Sequence, residues 1–423
     1  MSPTISAIRL SRFLMPIALL IFVSSAFAAN ENVVYRFKGG NGYGASPYAA
    51  MVADKQGNLY GTTSVGGNYT NCAEGCGTIF ELSPPAAPGA PWTETVLFDF
   101  DGTNGADPLG SLILDQAGNL YGATASGGIA NCYPGGCGVI FELSPPSQPG
   151  GSWTESVLYS FFGATDDGGN PSAGLVMDLK GNLYGTTRYG GSYGLGTAFQ
   201  LSPPAGPGGL WTETILHVFG GPNDGAQPVA ALTLGLHGAI YGVTYTGSGN
   251  SQFGTAFKLK PPTQQGGSWT ELIMYHFSGG IDGSYPLANM IIDKDGNLYG
   301  TASSAGQYDN GVVFEISPTN SWWVETVLYA FTNGTDGSTP AAGVIADKSG
   351  NLYGTTNSGG EGRKGSVFEL SPGSPWTETT LHDFLGDPDG EEPNAGLTFD
   401  RGHLFGTTPY GGYGVGALFA IGP

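Results

Sequence analysis

The sequence has few of the residues on which most metal, cofactor and nucleic-acid sites depend. Of 423 residues only 14 are Lys or Arg, against 34 Asp or Glu, so the formal net charge is −20 at pH 7. Such a chain repels phosphate backbones, and we expect no nucleic-acid partner. The five histidines form no His-x-x-x-His or Glu-x-x-His pair, and no G-x-x-x-x-G-K-[ST] phosphate loop is present. We therefore predict neither a bound metal nor a cofactor.

Long apolar runs and helical periodicity are also missing. The longest apolar run, Phe13–Val23, is shorter than the roughly 20 residues that span a membrane. Arg9 and Arg12 precede this run, and Ala26-Phe27-Ala28 follows it. This order is typical of a secretory signal peptide. We predict cleavage after Ala28, with residues 1–28 removed, export, and no membrane insertion of the mature chain.

Cysteine is scarce, and its four copies form two close pairs. Cys72 lies near Cys76, and Cys132 near Cys137, at matching places in consecutive repeats. Outside the cytoplasm such pairs usually become disulfides, so we predict two local disulfides. The spacing leaves one alternative open, a four-thiolate zinc site shared by both pairs.

What the chain has in quantity is glycine and proline, 74 and 29 copies, and these recur with a period. The segment Asn58-Leu59-Tyr60-Gly61-Thr62-Thr63 has six relatives, spaced by 52 to 63 residues. They are centred on Tyr121, Tyr184, Tyr241, Tyr299, Tyr353 and Phe405. Two further motifs recur in fixed order, resembling Gly-Thr-Ile-Phe-Glu-Leu-Ser-Pro and Trp-Thr-Glu-Thr-Val-Leu. Together with an apolar segment that ends in Asp, they indicate four short strands in each repeat, labelled a to d.

Repeats of four antiparallel strands predict an all-β fold, a seven-bladed β-propeller. The mature chain opens with a d-type segment at 31–37 and stops after a c-type strand, so we expect the N-terminal strand to complete the last blade and close the ring. The prediction is one domain over residues 29–423. Its blades are placed at about 47–100, 108–161, 171–219, 228–277, 286–331, 340–384 and 393–421 with 31–37.

These motifs, with Asp-Gly-x-x-Pro between strands d and a, resemble the Gloeo/Verruco (GloVer) tandem repeat of "choice-of-anchor" exported proteins. The resemblance covers essentially all of residues 29–423. It implies an exported bacterial protein and no particular activity. Family members often carry a C-terminal surface anchor; here we expect a soluble exported form.

Residues that recur in every repeat are interpreted first as framework. The aspartates of the d–a loops are interpreted as turn residues, with a calcium-binding ring as the alternative. They are Asp167, Asp224, Asp282, Asp336 and Asp389. His217 and His382 occupy a d-strand position that is Tyr or Phe in other repeats, so we interpret them as packing residues.

A ligand site is expected where the loops depart from the repeat. The b–c and d–a loops of a propeller share one face, and the b–c loops here carry tyrosines beside one arginine. The candidate ligand-binding residues are Arg188, Tyr189, Tyr193, Tyr245, Tyr308, Tyr410 and Tyr413, with Tyr69 and Tyr133 in the same class of loop. Flat aromatic side chains among neutral polar neighbours suit stacking on a sugar.

The function that we predict is a monomeric, non-catalytic binding or scaffold module with a carbohydrate or another extracellular protein as partner. One alternative is an enzyme that acts on polysaccharides, a lyase or a glycosidase, with carboxylates or tyrosines at the channel mouth. A second alternative is a structural propeller stabilised by Ca²⁺.

Overall fold

The computed structural model describes residues 31–422 except 88, 129–131, 133–134, 149, 207, 221–222, 248–251 and 265. The predicted signal peptide and Tyr133 lie outside the described residues.

The described residues form seven four-stranded antiparallel sheets, each with the strand order a-b-c-d. The predicted all-β, seven-bladed propeller is confirmed. The a strand of blade 1 contacts the a strands of blades 7 and 2, which places the a strands innermost in the ring. They are Val52–Ala53, Ile113–Leu114, Val176–Met177, Thr233–Leu234, Ile291–Ile292, Ile345–Ala346 and Thr398–Asp400.

The b strands follow after tight turns, one of which contains the 3₁₀ turn Leu236–Gly238. The b strands are Leu59–Thr63, Leu120–Thr124, Leu183–Thr187, Ile240–Thr244, Leu298–Ala302, Leu352–Thr356 and His403–Thr408. The c strands are Thr78–Ser83, Val139–Ser144, Thr197–Ser202, Thr255–Lys260, Val312–Pro318, Ser366–Ser371 and Ala417–Ile421. The d strands of blades 1 to 6 are Thr93–Asp99, Thr154–Ser160, Thr212–Val218, Thr270–His276, Trp323–Ala330 and Thr377–Asp383.

The ring closes through the first described strand, Glu31–Arg36, which is the d strand of blade 7. It pairs antiparallel with Ala417–Ile421, with Val33 opposite Phe419. The predicted closure is confirmed, and it leaves blade 7 with four strands like its neighbours.

The glycine at the centre of each b strand is required by the aromatic ring beside it. A Cβ on Gly61 would stand 2.6 Å from Cζ of Phe80, and Gly185 has the same relationship to Phe199. Both phenylalanines lie on the adjacent c strand and are wholly buried. The glycine of the recurrent Leu-Tyr-Gly pattern thus leaves room for the phenylalanine ring of the c-strand motif.

Aromatic pairs hold neighbouring blades together. The phenylalanine that follows each d strand packs edge-on against the c-strand phenylalanine of the next blade, with ring centroids 5.0–5.3 Å apart. The tryptophan that begins a d strand packs on the b-strand aromatic of the preceding blade, as Trp153 does on Tyr60 and Trp323 on Tyr241. The packing interpretation of the repeated aromatics is confirmed.

A bulge in strand d divides its side chains between two interfaces. The c–d register shifts so that Ile215 faces Phe199 and His217 faces Ala198, which leaves Leu216 as the extra residue. Simple alternation along strand d would have placed Glu213 and His217 on one face, and that expectation is wrong. Instead Glu213 interacts with Asp167 of the preceding d–a loop, whereas His217 contacts Glu271 of the following blade.

The b–c loops of blades 1 and 2 each contain a disulfide. These disulfides are Cys72–Cys76 and Cys132–Cys137. The disulfide prediction is confirmed and the four-thiolate zinc alternative is wrong, because the described part of the chain holds no free cysteine. Among the described residues there is no helix long and apolar enough to cross a membrane.

Candidate functional site

The d–a and b–c loops are joined at one face of the ring. In each blade a residue or two of the incoming d–a loop pairs with the residues just after strand b. Four of these contacts are short ladders, for example Gly168–Gly169 with Tyr189–Gly190, and three are isolated bridges. The predicted sharing of one face by these loops is therefore observed, and we call it the loop face.

One non-glycine residue in each d–a loop adopts a left-handed backbone conformation, directly before a proline. The seven residues have φ between 54° and 60°. They are Ser46, Asp107, Asn170, Gln227, Tyr285, Thr339 and Glu392. In six blades the residue after strand b is not proline, and its backbone N–H donates a hydrogen bond to the carbonyl oxygen of the left-handed residue. Arg188 donates to Asn170 in this way (3.1 Å). Because the strained backbone conformation recurs in every blade, it belongs to the framework of the fold. The side chains of these seven residues vary, and they determine the chemistry of the loop face.

Four of the seven predicted ligand-binding residues lie next to this ring of strained residues. Arg188 and Tyr189 directly follow strand b of blade 3, and the guanidinium carbon lies 5.3 Å from the centroid of the Tyr189 ring. Nε of Arg188 is buried and donates no hydrogen bond within the described structure. Tyr245 directly follows strand b of blade 4, as Arg188 does in blade 3, and Tyr410 holds in blade 7 the place of Tyr189.

The other three predicted tyrosines lie farther out on the blades. Tyr193 packs over Gly220 at the outer end of blade 3, and Tyr413 lies under the Arg36 guanidinium at 5.6 Å. Tyr308 lines an outer groove with Tyr329 and Trp376. The seven candidates thus do not form one site.

Two tyrosines that the sequence reasoning missed complete the aromatic groups near the axis. Tyr285 packs against Tyr245, with centroids 5.1 Å apart and Phe253 on its other side. Tyr48 hydrogen-bonds to Tyr410, with their hydroxyl oxygens 2.8 Å apart. Burial and this bond raise the pKa of Tyr48. Both residues lie in d–a loops, at the left-handed position or just after its proline, and that recurrent x-Pro signal could have located them.

These groups form two arcs that face each other across the ring. The first arc spans blades 3 to 5 and contains Arg188, Tyr189, Tyr245 and Tyr285; the second joins blades 7 and 1 through Tyr410 and Tyr48. In a ring of seven blades these positions lie about half a turn apart. Tyr189 and Tyr410 are exposed by 44% and 38%, so their rings remain accessible.

The aspartates of the Asp-Gly-x-x-Pro loops are bonded to their own loops. Asp336 accepts hydrogen bonds from the Tyr329 hydroxyl (3.0 Å), the Thr332 amide (2.7 Å) and the Thr332 hydroxyl (2.6 Å). Asp282 has the same set of partners in blade 4. The interpretation of these residues as turn anchors is confirmed.

A glutamate from the next blade faces most of these anchored aspartates. Burial, with the charge of Asp167, raises the pKa of Glu213 to about 7. Burial and the charge of Asp282 raise the pKa of Glu325 to about 7 in the same way. One carboxylate oxygen of each glutamate is buried and accepts no hydrogen bond from any described residue. The outer part of these blade interfaces therefore contains a carboxylate pair that prefers to hold a proton.

At the interface of blades 3 and 4 a histidine joins the carboxylate pair. Nε2 of His217 lies 3.2 Å from Oδ2 of Asp224 and 3.5 Å from Oε1 of Glu271. Burial lowers the pKa of His217, but the hydrogen bond to Asp224 and the charge of Glu271 outweigh it and the pKa is raised. The interpretation of His217 as a packing residue is incomplete: its ring packs edge-on against Phe219, while its nitrogen contacts two acids.

A model of the Gloeobacter/Verrucomicrobia repeat family matches residues 21–151, 73–291, 134–347 and 286–423, which together span nearly the whole sequence. None of the curated proteins matches this chain.

Solved structures with the same architecture include the extracellular domain of a protein assigned as a hybrid two component system from B. thetaiotaomicron. Its TM-score is 0.50 at 12% identity over 90% of this chain, which spans 39% of that one. A protein from Bacteroides uniformis assigned as a 6-phosphogluconolactonase has a TM-score of 0.50 at 14% identity, covering 82% of this chain and 88% of its own. An ulvan lyase has a TM-score of 0.48 at 9% identity, covering 93% of both chains. The two structures with a TM-score of 0.50 show a shared fold alone.

Proposed function

Because the chain belongs to the Gloeobacter/Verrucomicrobia repeat family, and its repeated acids serve its own loops, we propose that it is an exported, non-catalytic module that binds a neutral carbohydrate at the loop face. The observation that carries the proposal is the pair of tyrosine arcs on opposite sides of the ring.

The arcs suit a neutral sugar chain better than a charged ligand. Tyrosine offers a flat, rigid surface and a hydroxyl at low cost in side-chain entropy. The strained loop residues beside the arcs are polar, and the partly exposed side chain of Arg188 supplies guanidinium donors for a hydroxyl or carbonyl oxygen. A polymer that crosses the ring would contact both arcs, which share no side chain.

Export is supported by two features of the chain. Two disulfides close loops that are otherwise rich in glycine, and disulfides persist outside the reducing cytoplasm. The N-terminal segment has the pattern of a signal peptide. The ligand is accordingly sought among extracellular and cell-wall polymers.

The test is binding of the purified mature protein to an array of glycans and cell-wall polymers, followed by titration of the best ligand. Tyr245→Ala and Tyr410→Ala each remove one tyrosine from a different arc, and each should weaken binding about fivefold or more, since a well-placed aromatic contact is worth about 1–3 kcal/mol. Tyr193→Ala is the matched control, because this tyrosine lies in the same loop class but outside both arcs.

The proposal fails if no polymer binds, or if the arc variants bind as well as the control. Turnover of a bound polysaccharide by the purified protein would contradict its non-catalytic part.

A further inference from the structure

The three polar groups at the interface of blades 3 and 4 come from separate segments. His217 lies on strand d of blade 3, Asp224 in the loop after it, and Glu271 on strand d of blade 4. One donor atom of each lies within 4.8 Å of the others. The bulge at Leu216 brings them together, because it turns His217 toward blade 4.

Hydrogen bonds join the three side chains, including one between Asp224 and Glu271, but they leave one buried oxygen without a donor. Nε2 of His217 has at most one proton, and Asp224 at 3.2 Å is its nearer acceptor. Oε1 of Glu271 is buried and accepts no hydrogen bond from any described residue. A buried carboxylate oxygen without a donor normally has an ion or water as its partner.

The sister interfaces differ in their donor atoms. His382 of blade 6 repeats the contact of His217, with Nε2 3.1 Å from Oδ2 of Asp389, but no third ligand joins this pair among the described residues. Tyr159 and Tyr275 occupy the position of His217 in blades 2 and 4, and each donates a hydroxyl to the loop aspartate. A phenol cannot offer the neutral nitrogen that transition metals prefer, whereas imidazole can. The blade 3–4 interface is thus a version of the repeat whose donor set suits a metal.

We propose that His217, Asp224 and Glu271 bind one divalent transition-metal ion, Zn²⁺ fitting best, with a fourth position open to solvent. Ligands 2.0–2.2 Å from a tetrahedral zinc ion stand about 3.3–3.5 Å apart. The observed separations of Nε2 from the two carboxylate oxygens are 3.2 and 3.5 Å.

The surroundings hold the ligands in place. Amides of Gly220 (2.9 Å) and Gly225 (2.6 Å) donate to the two oxygens of Asp224 and orient its carboxylate. The His217 side chain is 21% exposed, so an ion can enter from outside. Since the ligands belong to two blades, the metal cross-links them, and its free position can accept water or a ligand oxygen.

The experiment measures Zn²⁺ binding to chelator-treated, dialysed protein by calorimetry, with Co²⁺ absorption as a report on coordination geometry. His217→Tyr is the main variant, because tyrosine is the native residue of the sister blades and should preserve the fold. Glu213→Gln is the matched control, since it changes the equivalent glutamate one interface earlier. Tyr159→His tests for gain of a site, because it rebuilds the cluster with Asp167 and Glu213.

The expected result is that His217→Tyr loses one equivalent of bound Zn²⁺, Glu213→Gln keeps it, and Tyr159→His gains one. Excess Ca²⁺ should not displace the Zn²⁺, because calcium prefers oxygen ligands. Unchanged stoichiometry in His217→Tyr, no Zn²⁺ binding by the native protein, or displacement by Ca²⁺ would each overturn the proposal.

Discussion

Phe37 packs edge-on against Phe80 with ring centroids 5.1 Å apart, and this contact seals the ring between its last blade and its first. Phe37→Ala should lower the free energy of unfolding by about 3–5 kcal/mol, since it opens a cavity in a buried interface. Urea denaturation measures the loss.

Phe161→Ala is the matched variant, because Phe161 packs on Phe199 at 5.2 Å within an uninterrupted stretch of chain. Similar losses are expected from both. A negligible loss for Phe37→Ala alone would mean that the ring is open at its seam in solution.

The carboxylate pairs at the blade interfaces make stability depend on pH. Glu213 and Glu325 titrate near 4.5 when unfolded and have pKa values of about 7 in the fold, chiefly through burial. The folded state then binds more protons between these values, so stability should fall as pH rises from about 4.5 to about 7.

Replacing both residues, Glu213→Gln and Glu325→Gln, should reduce this pH dependence and stabilise the protein at pH 8; Glu155, with a pKa also raised to about 7, keeps part of the slope. We expect on the order of 1 kcal/mol per site, less than the full shift implies, because both groups are partly open to solvent. Thermal unfolding between pH 4.5 and 8 measures it. Glu142→Gln on strand c is the control for the loss of a glutamate outside these carboxylate pairs.

Replacing a left-handed loop residue by glycine should increase the stability of the protein. Thr339 is β-branched and has φ of 56°, a conformation that costs such a residue roughly 1–2 kcal/mol. Thr339→Gly should therefore be neutral or stabilising by up to about 1 kcal/mol. Thr377→Gly, at the start of an extended strand, should instead destabilise by about 0.5–1 kcal/mol. Melting temperatures that fall equally in both would contradict the assignment of strain to Thr339.

The disulfides close very short loops and should contribute modestly. The loop-entropy relation gives about 2 kcal/mol for the four-residue separation of Cys72 and Cys76. We expect the Cys72→Ser/Cys76→Ser protein to fold and to lose about that much stability. Thiol titration of the denatured native protein should find no free thiol until reductant is added.

The fold was predictable because its motifs recur in the sequence at a nearly regular spacing. Tyr60, Phe80 and Trp92 belong to three motifs whose order defines a blade. The d-type segment before blade 1 predicted that the N-terminal strand closes the ring. Spatial groupings were harder to predict. Tyr285 lies beside Tyr245 only because a left-handed residue turns the d–a loop inward, and His217 meets Glu271 only because a one-residue bulge reverses its face. Both depend on backbone geometry that residue spacing does not express.

The pairing of Glu31–Arg36 with Ala417–Ile421 also sets an order in time. Synthesis proceeds from the N-terminus, so the earliest strand waits through all six intervening blades for the partner made last. Until then its backbone is an unsatisfied template for pairing with other chains. Arg36 and Lys38 place charges at the end of this strand and just after it, as edges that resist such pairing do. Closure of the seam therefore pairs the strand that would otherwise stay exposed longest during synthesis.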